Sequence, residues 1–219
     1  MTETKVSIPC GKLTLEGKYA LPEGDGPFPA MVVCHPHPQM GGNMDHSVVT
    51  AVCEALVKAG VAALRFNFRG VGESRGKYGE GLGEQADVRA AIDLLDAMTN
   101  IDSGKMGLAG YSFGGVVSAA AALDDNRVQV LALISAGLSE PQWKRLRTYP
   151  KPKLFVVGSE DKSVPLKPLK EHVELVVEPK QMEIIYGADH TWWGFEAELA
   201  KHIVEFVTNN LAKTPRLFP

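Results

Sequence analysis

One serine of the chain lies in a Gly-x-Ser-x-Gly pattern, which is typical of a catalytic nucleophile. It is Ser112, within the stretch GYSFGG. The hydrophobic pattern predicts a buried strand over residues 105–109 and a helix over residues 115–123. A serine at such a turn presents its hydroxyl at the end of the strand, and Gly110 and Gly114 allow the close backbone approach that the turn requires. We therefore predict that Ser112 is a nucleophile, with an ordinary glycine-rich loop as the alternative.

A serine hydroxyl needs a base to take its proton and a carboxylate to orient that base. In chain order, the acid and then the histidine are expected after the serine. The histidines that follow Ser112 are His172, His190 and His202. Only His190 lies in a loop after a predicted strand, GADHTWWG, whereas the other two lie inside predicted helices. We predict that His190 is the base.

Asp161 is the best-placed acid, because it lies in the loop GSEDKSVP directly after a predicted strand. Glu160 would point away if Asp161 points inward, and Glu140 follows the preceding strand. Asp189 is too close in sequence to His190 to reach its far nitrogen. The alternative is that Asp161 caps the helix after it. One carboxylate is not expected to cap that helix and orient the histidine at once.

Acyl transfer also requires N–H donors for the oxyanion. Phe113, directly after the nucleophile, is expected to supply the first. The second is expected from the loop CHPHPQMGG, whose prolines have no N–H. This leaves His37, with Gln39 and Met40 as alternatives.

Large apolar side chains lie next to these positions in the sequence. Phe113, Trp192 and Trp193 flank the proposed catalytic residues, so some of them should line an apolar acyl or alcohol pocket. We predict a pocket formed by Trp192, Trp193 and Met40. The alternative is that the aromatic residues belong to the core.

Two other patterns resemble ligand sites but favour structural roles. His35 and His37, with Asp45 and His46 nearby, are only a weak zinc signature. The glycines of NFRGVGES lack the spacing of a dinucleotide-binding loop. We expect no metal and no cofactor, with His35 bonded to loop backbone and Arg69 bonded to neighbouring loop carbonyls.

Strands and helices alternate along the chain. Strands over residues 6–8 and 13–19 are expected to pair antiparallel, before a series of strands and helices that reaches residue 209. This order predicts an α/β fold, a mostly parallel twisted sheet with helices on both faces and with ligands at the carboxyl ends of its strands. Residues 136–153 leave no room for a lid domain. We predict a single domain over residues 1–219.

Composition excludes several classes of protein. The 219 residues are 22% charged and 45% hydrophobic, with a net charge of −3, as in ordinary globular proteins rather than disordered or nucleic-acid-binding ones. No segment reads as a signal peptide or a membrane span. We therefore expect a cytoplasmic location. Three cysteines without CxxC spacing predict reduced, mostly buried thiols. The expected partner is a small-molecule substrate, with neither nucleic acid nor membrane.

The motifs GYSFGG, GSEDKSVP and GADH, in this order, resemble those of an α/β-hydrolase. The stretch HPHPQMGGNM followed by NFRGVGES resembles more narrowly a group of small, lidless bacterial members related to dienelactone hydrolases and prolyl-oligopeptidase-like enzymes. The resemblance implies a triad of Ser112, Asp161 and His190, and an oxyanion loop at His37.

The chain departs from wider hydrolase usage at two positions, with Pro36 where many members have glycine and Asn67 where many have aspartate. Dienelactone hydrolases use a cysteine nucleophile, so serine at position 112 argues against that chemistry. We expect a serine hydrolase of small, short-chain carboxylic esters. The alternatives are a thioesterase or small peptidase with the same triad, and a ligand-binding protein without catalysis.

Overall fold

Strands and helices alternate in the structure as the hydrophobic pattern predicts. The structure is a computed structural model, and it describes residues 2–212. Its strands are β1 (Thr4–Cys10), β2 (Leu13–Ala20), β3 (Phe28–Cys34), β4 (Ala62–Phe66), β5 (Ile101–Tyr111), β6 (Val128–Ile134), β7 (Lys153–Gly158) and β8 (Lys180–Ile185). Its α-helices are α1 (Ser47–Lys58), α2 (Gly83–Asp96), α3 (Phe113–Ala122), α4 (Glu140–Leu146), α5 (Leu166–Glu174) and α6 (Glu196–Val207).

The strands form one sheet in the order β1-β2-β4-β3-β5-β6-β7-β8. The pairs β1–β2 and β2–β4 are antiparallel, and every other neighbouring pair is parallel. Every residue of β4 and of β7 is buried, as expected for parallel strands with both faces covered. The prediction of a mostly parallel α/β sheet is confirmed.

Helices pack on both faces of the sheet and divide the core into two clusters. One cluster joins the sheet to α1 and α6, with Val52 and Ile203 fully buried. The other joins it to α2, α3, α4 and α5, with Val88, Val117 and Leu169 in the interior. Burying a large aliphatic side chain contributes about 1.5–3 kcal/mol, so both layers stabilise the sheet edge where β5, β6 and β7 end.

The segment between β6 and β7 contains one short helix, α4, and no inserted domain. The capping box formed by Ser139 and Gln142 begins this helix, which buries Trp143 and Leu146. Sequence reasoning did not assign α4 as an element, but its prediction that no lid domain fits here is confirmed.

The remaining sequence predictions concern the chain ends, the helices and the cysteines. The predicted domain over residues 1–219 includes Met1 and residues 213–219, which lie outside the described residues. No helix within residues 2–212 combines the length and the apolar character that a membrane crossing requires. Cys10, Cys34 and Cys53 are free and buried, as predicted. Burial raises the pKa of the Cys34 thiol to about 12.

Candidate active site

Ser112 lies at a sharp turn between β5 and α3. Its backbone has φ 53° and ψ −117°, a conformation that side chains rarely adopt. A Cβ on Gly110 would clash with the carbonyl oxygen of Gly114, and a Cβ on Gly114 would clash with the backbone at the end of β3. The Ser112 N–H donates to Ile134 O at 2.8 Å, which ties the turn to β6. The strand–turn–helix context predicted for Ser112 is therefore present.

The side chains of Ser112, His190 and Asp161 form one hydrogen-bonded chain. Ser112 Oγ lies 3.1 Å from His190 Nε2. On the other side of the ring, His190 Nδ1 lies 2.9 Å from Asp161 Oδ2 and 3.1 Å from Oδ1. The Asp161 side chain is fully buried, while that of His190 is 28% exposed. With the proton on Nδ1 donated to the carboxylate, Nε2 is free to accept the serine proton.

Asp161 also accepts hydrogen bonds from the loop that follows it. Its Oδ1 accepts hydrogen bonds from the N–H groups of Ser163 and Val164, both at 2.9 Å. Burial alone would raise the pKa of Asp161, but hydrogen bonds from His190, Ser135 and the Val164 N–H hold it below its usual value. Both N–H groups lie before α5, whose N-cap is Pro165 and takes no side-chain hydrogen bond, so Asp161 orients the histidine and does not cap that helix. A carboxylate has enough lone pairs to accept from this loop and from the ring, and Oδ1 lies within hydrogen-bond distance of both.

Ser135 and Trp192 hold the buried side of Asp161, and sequence reasoning missed this arrangement. Trp192 Nε1 donates to Ser135 Oγ at 3.1 Å, and Ser135 is among the groups that lower the pKa of Asp161. Within residues 2–212, positive φ occurs at four non-glycine residues, which are Glu80, Ser112, Ser135 (45°) and Trp192 (63°). Three of these four lie at the hydrogen-bonded chain or its support. The only signal in the sequence was a hydroxyl residue at the end of β6.

Trp192 lies in the core and does not line a substrate pocket. It has 0% exposure and packs in the core cluster of α1 and α6, so the prediction that it lines a substrate pocket is wrong. Its positive φ turns the indole inward, where the N–H finds its partner on Ser135. The two other predicted pocket residues, Trp193 and Met40, are 87% and 84% exposed.

The His190 loop has a second anchor at its backbone. The Tyr111 hydroxyl donates to His190 O at 2.5 Å. Burial raises the pKa of Tyr111 to about 12, which keeps the hydroxyl protonated as a donor at neutral pH. Sequence reasoning gave Tyr111 no part in the site, because nothing in its neighbourhood indicates contact with a loop 79 residues away.

The proposed oxyanion loop lies beside the turn at Ser112. The His37 ring packs against the Phe113 ring, with centroids 4.9 Å apart. Neither the His37 N–H nor the Phe113 N–H has a hydrogen-bond acceptor within the described part of the chain. A Cβ on Gly42 would clash with Pro36 O, and Gly41 has φ 83°, so glycine is required where the loop turns back.

His35 connects this loop to the backbone after β4. Its Nδ1 lies 2.7 Å from Pro36 O, and its Nε2 accepts from the Phe68 N–H at 3.1 Å. Burial lowers the pKa of His35 to about 4, so the ring is neutral at physiological pH. The predicted backbone-bonding role of His35 is confirmed.

Arg69 has a different partner from the one expected. Its guanidinium donates to the fully buried carboxylate of Asp87 on α2, at 2.7 Å. The predicted bonds from Arg69 to loop carbonyls are therefore wrong, because a buried carboxylate needs a charged partner more than a carbonyl does. No group of three or more His, Cys, Asp or Glu side chains within residues 2–212 is arranged to hold a metal ion.

Comparison with known proteins identifies the family. A family model described as X-Pro dipeptidyl-peptidase (S15 family) matches residues 13–164, which is more than half of the 219 residues. The chain belongs to the S15 family. The matched region of this S15-family chain includes Ser112 and Asp161 and ends before His190.

Individual relatives agree with this assignment. An alpha-beta serine hydrolase homologue from Coxiella burnetii is 33% identical, with 94% of this chain and 97% of that one covered and a TM-score of 0.84. XC6422 from Xanthomonas campestris, described as an α/β serine hydrolase without lid, is 29% identical, with 98% of both chains covered and a TM-score of 0.85. Protein RP471 of Rickettsia prowazekii is 30% identical, covering 88% of this chain and 84% of that one.

The S15-family chain is thus a serine hydrolase of the α/β fold, and the resemblance to its small lidless group is confirmed.

Proposed function

We propose that this chain is a serine esterase that cleaves small carboxylic esters through an acyl-enzyme on Ser112. The observation that carries the proposal is the hydrogen-bonded chain from Ser112 Oγ through His190 to Asp161, with its two bonds of 3.1 and 2.9 Å. Such an arrangement activates a hydroxyl for attack on a carbonyl carbon.

Each side chain then has a defined part in the reaction. His190 Nε2 takes the Ser112 proton as Oγ attacks, and returns it to the leaving alcohol. Asp161 fixes the ring with Nδ1–H toward the carboxylate and stabilises the imidazolium that forms. The Phe113 and His37 N–H groups donate to the oxyanion, and water repeats the sequence to release the acid.

The open carboxyl edge of the sheet favours small substrates. Between β6 and β7 the chain adds only residues 135–152, with the short helix α4, so within residues 2–212 no inserted domain there encloses a long acyl chain. We therefore expect short acyl groups. A cytoplasmic location belongs to the same proposal, which the three free, buried cysteines support.

The second candidate function is a peptidase with the same side chains, and the S15 family match favours it specifically. An ester and an amide pass through the same acyl intermediate, so the three side chains serve either reaction. A thioester is cleaved in the same way. What distinguishes the three reactions is the binding of the leaving group.

A substrate panel tests the proposal. Turnover of p-nitrophenyl esters of increasing acyl length, of a thioester and of an aminoacyl-prolyl anilide is measured with the wild type and with Ser112→Ala. We expect the short esters to be cleaved fastest and Ser112→Ala to lose several orders of magnitude. Preferential cleavage of the anilide would favour the peptidase. A Ser112→Ala protein with near-wild-type turnover would remove Ser112 from the mechanism.

A further inference from the structure

An apolar cavity of about 160 Å³ lies between the loop after β6 and the loop after β7. We call it the β6–β7 pocket. Trp143 of α4 and Leu169 of α5 contribute to its wall. Its other lining residues include Ala136, Gly137, Leu138 and Val164. Ser163 and His172 are polar residues of its lining, and no Asp, Glu, Lys or Arg is among the described residues that line it, so it suits a neutral, largely apolar group.

Two loops that hold the candidate triad also build the pocket. The Ser112 N–H is bonded to Ile134 O at the end of β6, two residues before the lining residue Ala136. The backbone N–H of Val164, another lining residue, is bonded to Asp161 Oδ1. The pocket therefore lies at the same sheet edge as the hydrogen-bonded chain.

Stacked aromatic rings give the pocket a rigid wall. The rings of Trp143 and His172 lie 4.8 Å apart with an interplanar angle of 3°, and Trp143 also stacks on Phe155 at 5.6 Å. Trp143 is 4% exposed, so packing holds it in place. Such a wall is formed before a ligand arrives, because packing fixes its rings.

The residues that line the pocket and the residues that support the His190 loop belong to different core clusters. Val164, Trp143 and Leu169 belong to the core cluster of α2 to α5. The His190 loop rests on the other cluster, through Ala188 and Trp192. Because the leaving alcohol must be next to His190 to receive its proton, the opposite side of the Ser112 hydroxyl is left for the acyl group.

We propose that the β6–β7 pocket binds the acyl group of the substrate and limits its size. The inference rests on the proposed function. A cavity of about 150 Å³ holds one benzene ring, so this pocket accommodates a phenyl ring or a chain of about four to five carbons. The substrate class is then esters of small, apolar carboxylic acids, benzoyl and butanoyl esters among them.

Gly137 and Leu169 allow the pocket to be made smaller or larger. A Cβ on Gly137 would lie 3.9 Å from Val164 Cγ2, in ordinary contact, so a side chain there enters the pocket without a backbone clash. Gly137→Val makes the pocket smaller and Leu169→Ala makes it larger. Leu175→Ala, at an exposed leucine just after α5, is the matched control for Leu169→Ala, and Gly104→Val on β5 is the control for Gly137→Val.

The experiment measures kcat/KM in two series of esters. One series varies the acyl group from acetyl to octanoyl and benzoyl with a fixed p-nitrophenol. The other keeps acetyl and varies the alcohol. We expect Gly137→Val to lower kcat/KM for butanoyl and benzoyl esters at least tenfold relative to acetyl, and Leu169→Ala to move the optimum to longer chains. The alcohol series and both controls should keep the wild-type profile.

The outcomes separate this inference from the proposed function. If acetyl ester turnover persists but neither variant changes the acyl profile, the pocket does not bind the acyl group. A changed alcohol series with an unchanged acyl series would assign the pocket to the leaving group instead. If the wild type cleaves no ester, the proposed function fails first. Gly137→Ala makes the same measurement with a smaller side chain if Gly137→Val does not fold.

Discussion

Ser112 and Asp161 stand at the two ends of one hydrogen-bonded chain, but the fold holds them by different means. Around Ser112 the constraint is steric, because the backbone of Gly110 and Gly114 passes so close to its neighbours that a Cβ would clash. Around Asp161 the constraint is polar, because the buried carboxylate accepts from the following backbone and from His190, and Ser135 also lowers its pKa.

The difference between the two constraints determines which substitutions are tolerated around Ser112 and which are tolerated around Asp161. A steric constraint excludes every residue except glycine, so it appears in the sequence as a fixed pattern. A buried polar network only requires that each donor find an acceptor, and many side chains satisfy that requirement. We therefore expect activity to be lost around Ser112 when a substitution adds atoms, and around Asp161 when a substitution removes hydrogen bonds.

Asp161→Asn removes the negative charge of the acid but keeps an oxygen that can accept from the following loop. The amide oxygen can still accept from the Ser163 and Val164 N–H groups, but the group no longer stabilises an imidazolium at His190. We expect turnover to fall about 10⁴-fold. Asp161→Ala should lose as much turnover and also about 1–3 kcal/mol of unfolding free energy, because the Ser163 and Val164 N–H groups lose their acceptor. Steady-state kinetics and urea unfolding measure both effects, and an Asp161→Asn protein with a tenth of wild-type turnover would contradict the assignment.

Gly114→Ala adds one methyl group on the nucleophile side. The new Cβ would lie 2.5 Å from His35 O, so the turn or the end of β3 must move. We expect about a 100-fold loss of kcat/KM and a loss of about 3 kcal/mol of unfolding free energy. Gly104→Ala is the control, since the nearest atom there would be the Asp102 side chain at 3.3 Å. Equal stability of the two variants would disprove the steric account.

Ser135→Ala removes one bond from the acid side and adds no atoms. We expect about a tenfold loss of kcat, because the carboxylate keeps its charge and its backbone bonds but loses one orienting partner. The decisive readout is the same substitution in the Asp161→Asn background. If Ser135 acts through the carboxylate, it should have little further effect there. A full tenfold loss in both backgrounds would show that Ser135 acts elsewhere.

His35→Gln has the smallest expected effect at neutral pH and tests how the oxyanion loop is held. Burial holds the pKa of folded His35 at about 4, below the ordinary histidine value of about 6.5. Between these values the unfolded chain binds more protons, so stability falls as the pH drops from 6.5 to 4, by up to about 3 kcal/mol.

The measurement is the free energy of unfolding across this pH range. Glutamine at position 35 can still accept from the Phe68 N–H but does not titrate, so His35→Gln should flatten the profile. His202→Gln, at a partly exposed histidine on α6, is the control and should keep the wild-type slope. An unchanged slope in His35→Gln would show that another group causes the pH dependence.

Most of the fold followed from the hydrophobic pattern, because in a long element with strong periodicity the spacing of apolar residues indicates which residues are buried. The helix expected over residues 115–123 is α3, and the strand expected over residues 105–109 lies within β5. The helix α4 was not assigned, since its seven residues bury only Trp143 and Leu146 and are too few to show a period.

The site was predictable where the chemistry requires one residue type. It was not predictable where tertiary packing determines which residues are in contact. Ser112, Asp161 and His190 were identified from motifs at strand ends, and the structure brings these three side chains together. Trp192 and Trp193 are adjacent and identical in type, but the first is buried and the second exposed. Only the backbone turn at Trp192 decides this, and no sequence pattern specifies that turn.

Fluorophosphonate labelling tests the central claim most directly, because the probe reacts only with a serine hydroxyl that a neighbouring base activates. Folded wild type is incubated with the probe, and the modified residue is located by peptide mass spectrometry. The account predicts one adduct, on Ser112, absent from Ser112→Ala and formed far more slowly in His190→Ala. Folded protein that takes up no label, or an adduct on another serine, would contradict it.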